Sequence, residues 1–315
     1  MRTTHRWLAG WLGAALVALA GAGGARAEFV VHEWGTFTTH HGLDGAPYVW
    51  MPLQDVSDLP TFVYKAGPRA TKKNTFPGTV RMETPVLYFY SAARQTVSVD
   101  VGFPSGLITE WYPRARPSAR GIRWPRVTVV PGATAELRQE PAPSHYYPAR
   151  ETDAVLVRCA TKRGAQHEKF LFYRGVGTFD TPVRVRLDGE VIHVGVVGPD
   201  VVEHGLLFER RGDAAGFRAL DLRTGAAVVD RPVPASNAVA ELEGALHALL
   251  VGVGLYEREA RAMLATWRDL WSADGLRVLY IVPSRLTDEV LPLAIKPEPS
   301  SLVRVLVGRA EVKSP

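Results

Sequence analysis

Short apolar runs broken by turns dominate this chain. From about residue 28 to residue 231, runs rich in Val, Thr, Tyr, Phe and Trp alternate with glycine, proline or polar turns. They fall at 29–39, 86–90, 96–101, 107–112, 127–130, 154–159, 169–173, 183–187, 191–197 and 206–210. Many short β-branched runs at this spacing predict an antiparallel sandwich or barrel. In 96–101 the alternation is clean, so Val97, Val99 and Val101 should share a buried face. Asp188-Gly189 between two alternating runs marks a hairpin. Two proline-rich stretches, 111–125 and 131–148, read as ordered loops, where a rigid β scaffold usually carries its function.

After Pro234 the periodicity changes. Ser236-Asn237 offers caps, and Leu242, Leu246, Leu249 and Leu250 follow at helical spacing up to Gly252. A second helix begins near Tyr256, with Ala260, Met263, Leu264, Trp267 and Trp271 on one face. Strands are expected at 276–282 and 302–307. The predicted fold class is α+β and mostly antiparallel: a β-sandwich-like body over 28–235, then a helical hairpin and two further strands over 236–315, packed on it.

The first 27 residues are of another kind. Arg2 and Arg6 form a basic start, 7–20 is apolar apart from glycine, and Ala25-Arg26-Ala27 ends it with small residues where a signal peptidase reads. This predicts a cleavable secretory signal peptide and a periplasmic or extracellular protein. Its removal leaves about 288 residues, enough for a substantial core, and the formal charge of +5 falls to about +2. No later run is long and apolar enough for a membrane span. Arg114, Arg116, Arg120, Arg123 and Arg126 are the nearest thing to a basic cluster. Without a recognition motif they do not indicate nucleic acid, and they read as a solvated loop or a contact for an acidic polymer. The single cysteine, Cys159, lies in a strand-like run and reads as a small buried hydrophobe.

Several polar residues sit where chemistry is possible. Strand alternation puts Glu33 on the apolar side of 29–39, as either a general acid with a raised pKa or a structural carboxylate–arginine pair. Arg81 and Glu83 share a face and can pair. Glu110 falls on the face of Ile108 and Tyr112. Two of Glu33, Glu83 and Glu110 brought within roughly 5–10 Å would allow glycoside hydrolysis; ion pairs with Arg81, Arg150 or Arg174 are the structural alternative. The densest segment is 144–153, with His145, Tyr146, Tyr147, Arg150 and Glu151. Its residue types suit a polysaccharide lyase or an anionic-glycan binder, and equally a loop anchored by two aromatic rings. His32, His40 and His41 are the only histidines that suggest metal. His32 and His40 would lie about 26 Å apart on a straight strand, and no His-Glu-x-x-His, His-x-His or cysteine pair occurs.

Several blocks together carry a resemblance: His32-Glu33-Trp34-Gly35-Thr36-Phe37-Thr38, Arg81-Met82-Glu83-Thr84-Pro85, Gly106 to Pro113, Ser144-His145-Tyr146-Tyr147, Lys169 to Gly175, and Leu302 to Glu311. In these the chain resembles a family of uncharacterised exported bacterial proteins. The resemblance implies export and one shared architecture over nearly all of residues 28–315, and supplies no catalytic residue or cofactor. Three functions are therefore carried forward. The first is an exported protein that binds glycan or another envelope polymer. The second is a lyase or hydrolase using His145, Tyr146 or Tyr147 with a carboxylate. The third is a metal-binding periplasmic protein.

Overall fold

The computed structural model describes residues 28–50, 58–67 and 78–312. The segment read as a signal peptide lies outside them. Eighteen strands and three α-helices follow one another in the described chain. The strands are β1 (Phe29–His41), β2 (Tyr64–Lys65), β3 (Val80–Ser91), β4 (Gln95–Gly102), β5 (Gly106–Tyr112), β6 (Arg116–Ser118), β7 (Gly121–Val130), β8 (Leu156–Thr161), β9 (Gly164–Glu168), β10 (Phe170–Gly177), β11 (Val183–Asp188), β12 (Val191–Val196), β13 (His204–Arg211), β14 (Ala214–Asp221), β15 (Ala226–Asp230), β16 (Gly275–Ile281), β17 (Leu293–Lys296) and β18 (Ser301–Val312). The helices are α1 (Ala238–Gly252), α2 (Glu257–Trp271) and the short α3 (Ser284–Val290).

A nine-stranded sheet is the backbone of the molecule, in the order β14-β13-β16-β18-β1-β3-β10-β5-β2. Only β1 and β18 pair in parallel; the other neighbours in it are antiparallel. One face packs against a six-stranded sheet (β17, β4, β7, β8, β9 and β6) and a three-stranded sheet (β11, β12, β15). Phe37, Leu87, Val99, Trp124, Val185 and Leu306 meet in that sandwich core. The opposite face is covered by α1 and α2, through Leu246, Leu250, Met263 and Trp267 against Trp34, Tyr88, Phe172 and Val305. The fold is therefore α+β and sheet-rich, a sandwich with its helical hairpin and two further long strands at the C-terminal end, as the periodicity predicts.

Local expectations hold where the period is unbroken. Val97, Val99 and Val101 are all buried. Asp188 pairs with Val191, so the turn residues are Gly189, at φ +60°, and Glu190. Glycine at the first of two loop positions is what a type II′ hairpin requires. Cys159 is buried in the sandwich core, and burial pushes its thiol up to about 12. The 111–125 stretch departs from its reading as a loop. Trp111 and Tyr112 end β5, 116–118 forms β6, and Trp124-Pro125 lies within β7. Pro125 is accommodated because β7 has an extra residue there: Val97 pairs with Val127 and Val99 with Trp124. A bulge is where a strand tolerates a residue with no N–H to donate.

Candidate functional site

A row of irregularities crosses the nine-stranded sheet. Between β1 and β3 the register runs from Trp34↔Val86 to Thr36↔Glu83, leaving Thr84 and Pro85 opposite Gly35. Between β10 and β3 it jumps from Phe172↔Val86 to Gly175↔Met82, and between β10 and β5 it skips Thr109. Thr84 sits at φ 48°, the left-handed region that a β-branched side chain avoids. Bulges aligned over neighbouring strands re-aim side chains, and they gather beside functional sites.

Here they turn Arg81, Glu83 and Arg174 toward the helix side of the sheet. Met82 faces the sandwich core, as do Leu87 and Phe89 beyond the bulge. The strand has changed phase by one residue. On the same side, β1 presents Thr38 and His40 and β18 presents Arg309, while Trp267 and Leu270 close the space from the last turns of α2. Asp58 and His145 come from the two loops above. The cleft so formed has a volume of about 310 Å3.

Its polar groups are tightly organised. Arg81 Nε stands 3.1 Å from Glu83 Oε1, and Thr38 donates to Glu83 Oε2 at 3.0 Å. His145 bridges two carboxylates: Nδ1 bonds Asp58 Oδ2, and Nε2 lies 2.9 Å from both oxygens of Asp269. Arg174 Nη2 reaches Asp58 Oδ1 at 3.5 Å. The imidazole lies flat on Trp267, with ring centres 5.4 Å apart. The Asp58 hydrogen bond, against the pull of burial and aided by Asp269, lifts His145 to about 9. Burial alone would raise the Asp58 carboxyl, but the bond from His145 and the charges of Arg174 and His145 prevail and hold it well below the usual range. At neutral pH this is an imidazolium between two carboxylates. Buried Trp50 Nε1, Trp267 Nε1 and Arg174 Nε find no acceptor among the described residues. Such donors are rare in native interiors and suit an acceptor-rich guest.

Five of the residues singled out in the sequence thus meet in one cleft: His40, Arg81, Glu83, His145 and Arg174. The others do not. Glu33 faces the sandwich core, bound by Arg304 Nε at 2.7 Å and Tyr173 Oη at 2.5 Å, so it is the structural ion pair, with a partner other than the arginines considered. Glu33 and Glu83 lie on opposite faces of one sheet and cannot flank the same glycosidic bond. Glu110 stands opposite Arg174 in the register without lining the cleft. It does not share a face with both Ile108 and Tyr112, because the bulge at Thr109 puts Ile108 in the sandwich core and Tyr112 under the helices. Tyr146 is fully buried and donates to Glu168 at 3.0 Å, while Arg150 clamps the same carboxylate at 2.7 and 3.0 Å. Tyr147 Oη accepts from the Glu140 N–H, and Glu151 is exposed. The 146–151 segment is therefore an aromatic anchor that holds His145 in place.

Among the described residues no group of three or more His, Cys, Asp or Glu side chains is arranged to hold a metal. His32 is buried against Glu259, Nδ1 to Oε2 at 2.7 Å, and that carboxylate also accepts from Tyr90 Oη and the Tyr256 N–H. His40 packs its ring on Trp50, 4.2 Å between centres, and His41 is buried beyond the cleft. No helix among the described residues is long and apolar enough to cross a membrane.

The sequence matches no family model and no curated protein. Among solved structures it is similar to the Fcho1 Mu homology domain of Danio rerio, solved with a bound Eps15 peptide, at TM-score 0.34 and 8% identity, over 91% of this chain and 97% of that one. At that level of similarity no ligand carries over. Fold and cleft together define a sheet-rich α+β protein with a charged, aromatic-walled site.

Proposed function

We propose that this is an exported protein that binds acidic glycan, with a charged sugar unit seated in the cleft beneath Asp58 and His145. The observation that carries this reading is the cleft's lining. Arg81, Arg174, Arg309 and His145 line the cleft, held by Glu83, Asp58, Glu311 and Asp269, and Arg174 Nε is left without an acceptor, so a carboxylate or sulfate group can share these cations. Trp50 and Trp267 supply apolar wall, and the unpartnered N–H groups suit hydroxyl or carboxylate oxygens. The volume is at the small end of ligand cavities, roughly 300–1,000 Å3, which fits one unit of a polymer better than a long stretch. Location outside the cytoplasm rests on the pattern of residues 1–27.

The test is calorimetric titration of the purified protein with oligogalacturonate and with a neutral oligosaccharide of the same length. The acidic ligand is expected to bind and the neutral one at least tenfold more weakly. Arg174→Gln, checked for fold by circular dichroism, should lose that preference. Equal affinity for the two ligands, or an unchanged preference in folded Arg174→Gln, would remove this reading.

One further observation favours an enzyme. Asp58 orients the His145 ring through Nδ1 and keeps it charged, which leaves Nε2 as a proton donor once Asp269 moves away. A lyase or hydrolase would use that proton on the leaving oxygen. His145→Gln should then abolish the release of new chain ends from polygalacturonate while binding persists; no release by the wild-type protein on any acidic glycan leaves the binder alone.

A further inference from the structure

We propose a second anion-binding site, remote from the cleft and independent of its reading: a basic groove between the end of β5 and the β8–β9 hairpin that takes a sulfated or carboxylated polysaccharide chain. The groove has a volume of about 610 Å3 and shares no lining residue with the cleft. Arg114, Arg138, Lys162 and Arg163 line it, with Glu136 as the one carboxylate.

What marks these four cations is that they gather in one groove without counter-charge. Elsewhere guanidinium groups are mostly held by carboxylates, as in Arg150–Glu168, Arg231–Glu209, Arg258–Asp153 and Arg268–Glu243. Among the described residues none of the four groove cations has an ion pair. A larger cavity of about 780 Å3 beside β11 and α3 makes the contrast: its Arg184 and Arg285 are already bound by Asp180, Asp200 and Glu289. Its free cations, not its size, set the groove apart from that cavity.

The groove is also built. Arg114 lies over the Tyr64 ring at 5.8 Å and Arg138 over Phe62 at 5.3 Å. Resting on rings, the guanidinium groups keep their N–H donors for a ligand. Gln166 locks the floor, donating to Tyr64 Oη at 2.8 Å and accepting from the Arg114 N–H at 2.8 Å. Lys162 and Arg163 project from the exposed hairpin turn. Beyond the groove the positive charge continues over the outer face of the six-stranded sheet. Arg158 pairs in register with His167, which lines the groove, and Arg116 with Arg123. The arginine-rich run of the sequence is thus part of one surface that can follow a polymer.

Glycan is favoured over nucleic acid because, among the described residues, neither tyrosine of the groove is free for a base. Tyr64 is covered by Arg114 on one side and stacks with Trp111 and Tyr112, and Tyr112 is buried. Single-stranded nucleic-acid sites rely on such open platforms.

The experiment measures binding of a heparin-derived octasaccharide, a size-matched oligogalacturonate and an oligothymidylate of equal charge, at 50 and 200 mM NaCl. Wild-type protein should bind at least one of the two glycans with a steep salt dependence, and at least tenfold tighter than the oligothymidylate. The double variant Lys162→Gln/Arg163→Gln, in an exposed turn that leaves the core untouched, should lose tenfold or more for that glycan and show a shallower salt slope. Arg174→Gln in the cleft should leave this component intact, so failure of one site is read separately from failure of the other. Which glycan responds identifies sulfate or carboxylate as the preferred group. Unchanged glycan binding in Lys162→Gln/Arg163→Gln, loss only in Arg174→Gln, or equal binding of oligothymidylate would each overturn the proposal.

Discussion

His145 concentrates the chemistry of the cleft in one ring. Its folded value near 9 stands above the ordinary 6.5, so the stability it contributes is fully present below about pH 6.5 and is lost as pH rises through 9. Because its partner Asp269 is largely exposed, the effect should be about 1 kcal/mol. His41 works in the opposite direction. Burial, with the Arg184 charge, pushes it down to about 4, so below pH 6.5 the unfolded chain binds a proton that the folded chain refuses. Stability then falls as pH drops from 6.5 to 4, by up to about 3 kcal/mol. The two titrations place the maximum of melting temperature against pH between 6 and 7. His145→Gln should flatten the alkaline limb alone and His41→Leu the acid limb alone; any other assignment of limbs contradicts the two environments. Residue types in the sequence were enough to mark His145, Arg81, Glu83 and Arg174. Asp58 carries no local signal, since it lies in a loop outside any period. Trp267 reads as an ordinary helix-core residue and Arg309 falls beyond the strand expected at 302–307, because their role depends on a sheet and a helix that meet only in the folded chain.

The elements around the cleft are strands that break their own alternation, and that is where sequence periodicity misleads. A period of two places Glu110 with Ile108 and Tyr112, and a single extra residue at Thr109 separates them. Nothing in the composition of 107–112 announces that bulge. At β3 a signal does exist: Thr84-Pro85 opposite Gly35 pairs a proline with the residue that gives it room. A Cβ at Gly35 would lie 2.9 Å from Pro85 Cα and 3.1 Å from its N, both backbone atoms that cannot rotate away. Gly35→Ala should therefore destabilise the protein by about 1–3 kcal/mol and shift β3 where it carries Glu83. Urea unfolding measures the first effect. The second should appear as weaker oligogalacturonate binding by the fraction that remains folded; full stability in Gly35→Ala would mean that β1 and β3 part more easily than their register indicates.

At the scale of the whole molecule the two ends of the described chain form one sheet. Strand β18 runs between β1 and β16, and its parallel pairing with β1 is what joins the first strand to the C-terminal third within the sheet. The helical hairpin is legible from its 3.6-residue period, but this crossing is not, because pairing over some 270 residues leaves no mark in local sequence. Glu33 and Arg304 secure it. They are register partners, Glu33 is fully buried, and Arg304 adds Asp288 of α3 at 2.7 Å and the Leu291 carbonyl at 2.7 Å. Tyr173 brings β10 to the same carboxylate. Removing one partner of a buried pair strands the other charge, at a cost of about 3–5 kcal/mol, whereas replacing both with apolar groups can be nearly neutral. Arg304→Met should therefore lower unfolding stability by about that amount, and the double change Glu33→Leu/Arg304→Met should recover most of the loss. If the pair instead acted only as a surface-like contact, Arg304→Met would cost less than about 1 kcal/mol and the second substitution would restore nothing. That double-mutant cycle, read by urea midpoint, decides whether the N-terminal strand is held to the C-terminal one by this charge or by hydrophobic packing alone.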